Sequence, residues 1–185
     1  MMRIAYICAD PGVPVFGQKG CSIHVQEVIR SLLRQGAQVE LFATRLGGDP
    51  PAGLETVTVH QLPAIPKGEQ AAREQAALSA NLDLRLALER EAPFDLVYER
   101  YSLWSFTAME YAQSVGIPGI LEVNAPLIEE QEKHRGLCDR TSAEQVAERV
   151  FSAATALIAV SEEIKTYLEG YPEVGQRVHV IPNGV

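Results

Sequence analysis

The sequence predicts an α/β protein: a doubly wound, mainly parallel, Rossmann-like sheet with helices on both faces. Two observations carry this. Short apolar runs alternate with helical segments along all 185 residues. The first run, its loop, the following helix and the second run also make a βαβ unit within about 40 residues, whose crossover is expected to be right-handed. Hydrophobic residues at 46% and charged residues at 22% are ordinary for a folded domain of this length, which buries a core without disulfide or metal staples.

The elements follow in order. Arg3–Ala9 is a short apolar run, as for a strand covered on both faces. A Gly- and Pro-rich loop, Asp10 to Gly20, leads into the clearest helix. There Val25, Val28, Ile29, Leu32 and Leu33 form one apolar stripe, Ser22 or Cys21 is placed to cap the start, and Gly36 sits where a left-handed residue ends a helix. Gln38–Thr44 reads as the second strand and Thr56–Leu62, alternating with period two, as the third. A long Ala/Leu/Glu/Arg-rich helix spans Glu69–Glu91, with Pro93 as its stop and its charge read as a solvated face. Leu96–Tyr98 is a short strand, Ser102–Val115 a helix ended by Gly116, and Gly119–Val123 a further strand. Ser142 and Gln145 have capping-box spacing and open a helix to about Ala154. Ala156–Val160, a helix capped by Ser161 through Glu169, and Val178–Ile181 complete seven strands. Pro182-Asn183-Gly184-Val185 is a turn signal with no strand after it. It points to a domain boundary, with residues 1–181 as the domain and 182–185 as the start of a linker.

Several function classes drop out. With 16 Lys+Arg against 24 Asp+Glu, the net charge of −8 argues against a nucleic-acid binder or a basic membrane-surface protein. Three widely spaced cysteines without a C-x-x-C pair point to a cytoplasmic protein without a disulfide framework or zinc site. No His/Cys/Glu cluster has metal-ligand spacing, so no metal is expected. The apolar run Phe151–Val160 is half a membrane span, and the N-terminus lacks a cleavage signal.

In open α/β sheets ligands bind beyond the carboxyl ends of the strands. The loop before the first helix is therefore the leading candidate site. The free N–H groups of that helix start, at Gly20 and Cys21, would hold phosphate, with Lys19 adding charge. The spacing is neither G-x-G-x-x-G nor a Walker sequence, and a flexible surface loop is the alternative. His24 flanks the apolar stripe nearby. Glu99, Arg100 and Tyr101 follow one strand, while Glu122 and Asn124 end another. Polar residues at successive strand ends favour a cleft, and Trp104 and Phe106 read as core.

Gly20-Cys21-Ser22-Ile23-His24-Val25, the helix ending at Gly36 and the second strand resemble the opening of the family 4 (group 1) glycosyltransferases. So do Leu157-Ile158-Ala159-Val160-Ser161 and Val180-Ile181-Pro182-Asn183-Gly184-Val185, the last being the most specific match. The resemblance implies a GT-B fold, in which two Rossmann-like domains face each other across a cleft, with this chain as the N-terminal, acceptor-side domain. The C-terminal donor-binding domain would follow the linker. Lys19 stands where the family has the first glycine of a Gly-Gly pair. Tyr98-Glu99-Arg100-Tyr101 and Asn124-Ala125-Pro126 stand where many members place histidines, which leaves Glu99 and Asn124 as catalytic candidates.

The resemblance further implies a retaining transfer from a nucleotide-diphosphate sugar to an acceptor hydroxyl, needing no cofactor or metal. Lys19, Gly20 and Cys21 would bind the donor phosphates. Ser22, His24, Arg100, Tyr101 and Asn124 would line the side of a sugar or lipid-linked acceptor. Such an enzyme would be cytoplasmic, at the inner membrane surface if its acceptor is a lipid. A non-catalytic ligand-binding or regulatory α/β module and a nucleotide-sugar epimerase are the competing readings.

Overall fold

The computed structural model describes residues 1–184; Val185, the last residue of the turn signal, lies outside the described residues. Seven strands form one sheet: β1 (Arg3–Cys8), β2 (Gln38–Ala43), β3 (Thr58–Gln61), β4 (Leu96–Arg100), β5 (Gly119–Val123), β6 (Ala156–Ala159) and β7 (Val178–Val180). Their spatial order is β3-β2-β1-β4-β5-β6-β7, and every pairing is parallel. The order reverses between β1 and β4, so the crevice expected of a doubly wound sheet opens there, beyond the carboxyl edge.

Six helices connect the strands: α1 (Gly20–Arg34), α2 (Gln70–Glu91), α3 (Thr107–Val115), α4 (Leu127–His134), α5 (Arg140–Ala153) and α6 (Glu162–Glu169). They cover the two faces unequally. Val25 and Ile29 of α1 pack on one face with Ile4, Tyr6 and Leu41. Leu84 and Leu88 of α2, Met109 of α3, Phe151 of α5 and Leu168 of α6 pack on the other with Val97, Leu121 and Leu157. Among the described residues no helix is long and apolar enough to cross a membrane. The three cysteines are free thiols.

Several boundaries differ from the sequence reading, each for a local reason. Neither Ser22 nor Cys21 caps α1; Lys19 is the N-cap, without a side-chain bond, and Ser22 lies fully buried inside the first turn. The far end is as expected: Gly36 takes φ +85, and the N–H of Ala37 returns to the Leu32 carbonyl at 3.1 Å. Asp139, rather than Ser142, caps α5 by accepting from the Ser142 N–H at 2.9 Å. Ser161 caps α6 as expected. β4 runs on to Arg100, and α3 starts at Thr107 rather than Ser102. The Asn81 side chain of α2 accepts from the N–H groups of Phe106 (3.0 Å) and Thr107 (3.1 Å), capping α3 from a neighbouring helix.

The solvated-face reading of the α2 segment is corrected. Glu74, Asn81, Leu84 and Leu88 form a buried stripe at helical spacing. Glu74 accepts from the backbone N–H groups of Cys138 (3.0 Å) and Asp139 (2.9 Å), tying α2 to the start of α5. Helix α4 was not read from the sequence at all.

Asn81 also donates to the carbonyls of Leu78 (3.0 Å) and Trp104 (2.8 Å), so one side chain joins α2, α3 and the loop before α3. Asn81→Ala should therefore lower unfolding stability by about 2 kcal/mol, the sum expected from a lost cap and lost buried hydrogen bonds. Urea denaturation measures it, and an unchanged midpoint would show that the loop is held by packing alone.

Candidate functional site

The loop before α1 is packed against the rest of the domain through part of its length. Val13, Val15 and Phe16 are buried, and the Gln26 side chain donates to the carbonyls of Val15 (2.8 Å) and Gly17 (2.9 Å). The N–H groups of Val15 and Phe16 bond to the carbonyls of Arg45 and Leu46 beyond β2. This anchoring fixes the start of α1 at the carboxyl edge of the sheet. Gly20 is exposed there, and a Cβ added to it would meet no atom within 4 Å.

One carboxylate organises the edge. Glu122, on β5 and 2% exposed, faces the α1 side of the sheet. Its Oε1 lies 2.9 Å from His24 Nε2 and accepts from Asn124 Nδ2 at 2.7 Å, while its Oε2 accepts from the Tyr98 hydroxyl. Arg100, paired in register with Glu122, brings its guanidinium to 3.6 Å. Burial acts to raise the Glu122 carboxyl, but the bonds from His24, Tyr98 and Asn124 outweigh it and hold the group below its ordinary value. An ionised carboxylate only accepts, so His24 donates through Nε2. Tyr98 is buried, which pushes its hydroxyl well up, and it stacks on Tyr6 with ring centroids 5.2 Å apart.

A cavity of about 850 Å³ adjoins this group at the strand-order reversal. The ends of β1, β2 and β4 floor it through Ala9, Thr44 and Arg100, and Cys21 of α1 reaches it. Gln70, Glu74, Ala77, Asn81 and Leu84 of α2 form one wall; Leu127, Gln131 and His134 of α4 form another. Trp104, read as core, is half-buried and lines the cavity. The size and mixed lining suit a small polar ligand.

The sequence-derived candidates divide into two sets. Lys19 and Gly20 are exposed at the start of α1, and Cys21, His24, Arg100 and Asn124 are half-buried on the same sheet edge. Glu122 joins His24, Arg100 and Asn124 directly. Asn183, from the Pro-Asn-Gly segment, donates to Asn124 Oδ1 at 3.4 Å, so the C-terminal motif also meets the site. Ser22, Glu99 and Tyr101 are buried instead.

The expectation that Glu99 opens into the groove is corrected: β4 extends through it, so the pleat turns its side chain to the opposite face from Arg100. Its Oε2 accepts from Ser105 Oγ at 3.3 Å, and Oε1 has no partner among the described residues. Tyr101 lies on that same face, edge-on to Phe151 at 5.1 Å.

A second cluster was missed. Glu40, His60 and Glu91 bring potential ligand atoms within 4.8 Å of one another, though they are far apart in sequence. Arg3 already pairs with Glu40, and His60 Nε2 lies 2.8 Å from Glu40 Oε2, so the cluster is internally bonded.

The sequence model of Glycosyltransferase Family 4 matches residues 19–185. No curated protein matches the chain in sequence. Among solved structures, sucrose-phosphate synthase from Thermosynechococcus elongatus is similar, with a TM-score of 0.68 and 16% identity over 100% of this chain and 49% of that one. The lipopolysaccharide outer core galactosyltransferase WaaB, in its apo form, gives 0.62 and 18% over 100% and 46%. Phytolacca americana UGT2, complexed with UDP-2fluoro-glucose and pterostilbene, gives 0.60 and 14% over 100% and 53%. Identities this low establish the shared fold, a Rossmann-like domain of GT-B type. The chain spans about half the length of these structures.

Burial pushes the Glu99 carboxyl up to about 8, with the Ser105 bond opposing it weakly. The folded state thus keeps a proton that the unfolded chain releases near pH 4.5. This contribution to stability is full below that pH, falls by up to about 1.4 kcal/mol per pH unit as pH rises, and levels off above about 8. Glu99→Gln should remove that slope. Thermal melts of both proteins from pH 5 to 8 test this, and parallel curves would contradict a neutral Glu99.

Proposed function

We propose a function from one premise: the chain belongs to glycosyltransferase family 4. Family and fold support glycosyl transfer in general. The finer reading is that residues 1–181 form the acceptor-side domain of a retaining enzyme, and that residues 182–185 begin the linker to a donor-binding domain. The enzyme would move a sugar from a nucleotide-diphosphate sugar to an acceptor hydroxyl, without cofactor or metal. The observation that carries this reading is the cavity beside an α1 start whose first N–H groups have no side-chain cap.

The chemistry follows from that placement. The bond between the anomeric carbon and the diphosphate oxygen breaks, and its electron pair leaves with the diphosphate. The Gly20 and Cys21 N–H groups, with Lys19, would stabilise that charge. The acceptor hydroxyl oxygen forms the new bond on the face the leaving group occupied, and its proton passes to the departing diphosphate oxygen. His24 and Asn124, both held by Glu122, and Arg100 would orient the acceptor. Ser22, Glu99 and Tyr101, being buried, would support this wall from behind. A nucleotide sugar as donor is also in keeping with UGT2, which is complexed with UDP-2fluoro-glucose.

A purely ligand-binding module would share the cavity. Transfer by the full-length protein, scanned with labelled nucleotide sugars, separates the two readings. Gly20→Val should lower turnover at least about tenfold with an unchanged melting temperature, because the added side chain enters open space that the donor would fill. Unchanged kinetics would make the loop a mere turn. On the half-enzyme reading, which puts the donor site in a second domain, residues 1–185 alone should give no transfer, and robust turnover by them would overturn that reading.

A further inference from the structure

We infer that the acceptor carries a phosphate monoester, bound by arginines at the cavity. This rests on the glycosyltransferase reading and narrows its substrate class. The protein as a whole is acidic, at −8. Yet Arg45, Arg73, Arg100 and Arg135 all line this one cavity. They come from four separate places: the segment after β2, the opening turn of α2, the end of β4 and the residue after α4.

Three of these guanidiniums are uncommitted. The ion pairs of the described residues engage Arg100 with Glu122, but none involves Arg45, Arg73 or Arg135. Among the described residues no side-chain hydrogen bond holds them either. Arg73 also stands near the N-terminal end of α2, where the helix dipole disfavours a cation. A bound anion would reverse that penalty.

The carboxylates of the lining, Asp10, Glu74 and Glu130, form no ion pair with Arg45, Arg73 or Arg135 among the described residues. Glu74 is spent on the Cys138 and Asp139 N–H groups, and Asp10 Oδ1 accepts from the Gly12 N–H at 2.7 Å. Glu130 is the remaining carboxylate of the lining. A phosphate offers three oxygens to donors arriving from several directions, which suits arginines on separate elements better than a neutral sugar does. Trp104 and Leu84 of the same lining would hold the uncharged part of the acceptor.

The test pairs sugars with their esters. Calorimetry on the full-length protein compares inorganic phosphate, glucose, glucose 6-phosphate and UDP, and transfer assays compare the same sugars as acceptors. A long-chain lipid phosphate in phosphatidylcholine vesicles is the membrane arm. Glucose 6-phosphate should bind at least about tenfold more tightly than glucose, or the lipid phosphate should bind where the neutral vesicle does not. Whichever arm responds identifies the source of the phosphate.

The double variant R73Q/R135Q, which disrupts no internal bond, should abolish that preference while leaving glucose binding as weak as before. Equal binding of ester and neutral sugar, with inert lipid phosphate, overturns the inference. So does an equal loss of UDP affinity in the variant, which would assign the arginines to the donor. Phosphate-selective binding without transfer from any nucleotide sugar would instead reject the glycosyltransferase reading and, with it, the acceptor assignment. Transfer to neutral sugars alone would reject only the phosphate.

Discussion

The site depends on a carboxylate buried at the end of β5. Glu122 is almost sealed from solvent, and its charge survives because donors from three elements converge on it: His24 of α1, Tyr98 and Arg100 of β4, and Asn124 after β5. A buried charge without such partners would cost several kcal/mol. The same bonds that make the carboxylate tolerable fix His24 and Asn124 in place. The order of strands makes this convergence unavoidable, because β4 and β5 are neighbours and Arg100 lies in register with Glu122.

Polar buried groups also shape the cavity around that point. Asn81 joins α2 to the segment that carries Trp104, and Glu74 joins α2 to the turn before α5. These bonds tie α2, one wall of the cavity of about 850 Å³, to the segments before α3 and α5. Arg45, Arg73, Arg100 and Arg135 line that cavity beside Asp10, Glu74 and Glu130.

Much of this was legible in the sequence, for identifiable reasons. All seven strands were, because six are short, mostly apolar runs and the third alternates with period two, and the mainly parallel order follows from the helices placed between most of them. The α1 stripe and Gly36 followed from periodicity alone. The helix α4 was missed although Pro126 stands at its cap, Glu129 and Glu130 at its first turn, and Lys133 and His134 at its last. The inner face of α2 was misread because two of its buried positions, Glu74 and Asn81, are polar. Glu99 reads as a strand-end residue only if β4 stops at Tyr98; with the strand running to Arg100, the pleat sends Glu99 inward and Arg100 to the cleft. The Glu122 network joins residues 98 positions apart, a pairing that no local pattern encodes.

The central claim is that Glu122 holds the acceptor-facing residues of a glycosyl-transfer site. Acceptor-dependent transfer by the full-length protein carrying Glu122→Gln, measured beside its thermal midpoint, tests it most directly. The amide keeps the shape but removes the charge and one acceptor. The account predicts that kcat/KM for the acceptor falls at least about tenfold in protein that remains folded. Transfer at the normal rate by the folded variant would contradict it.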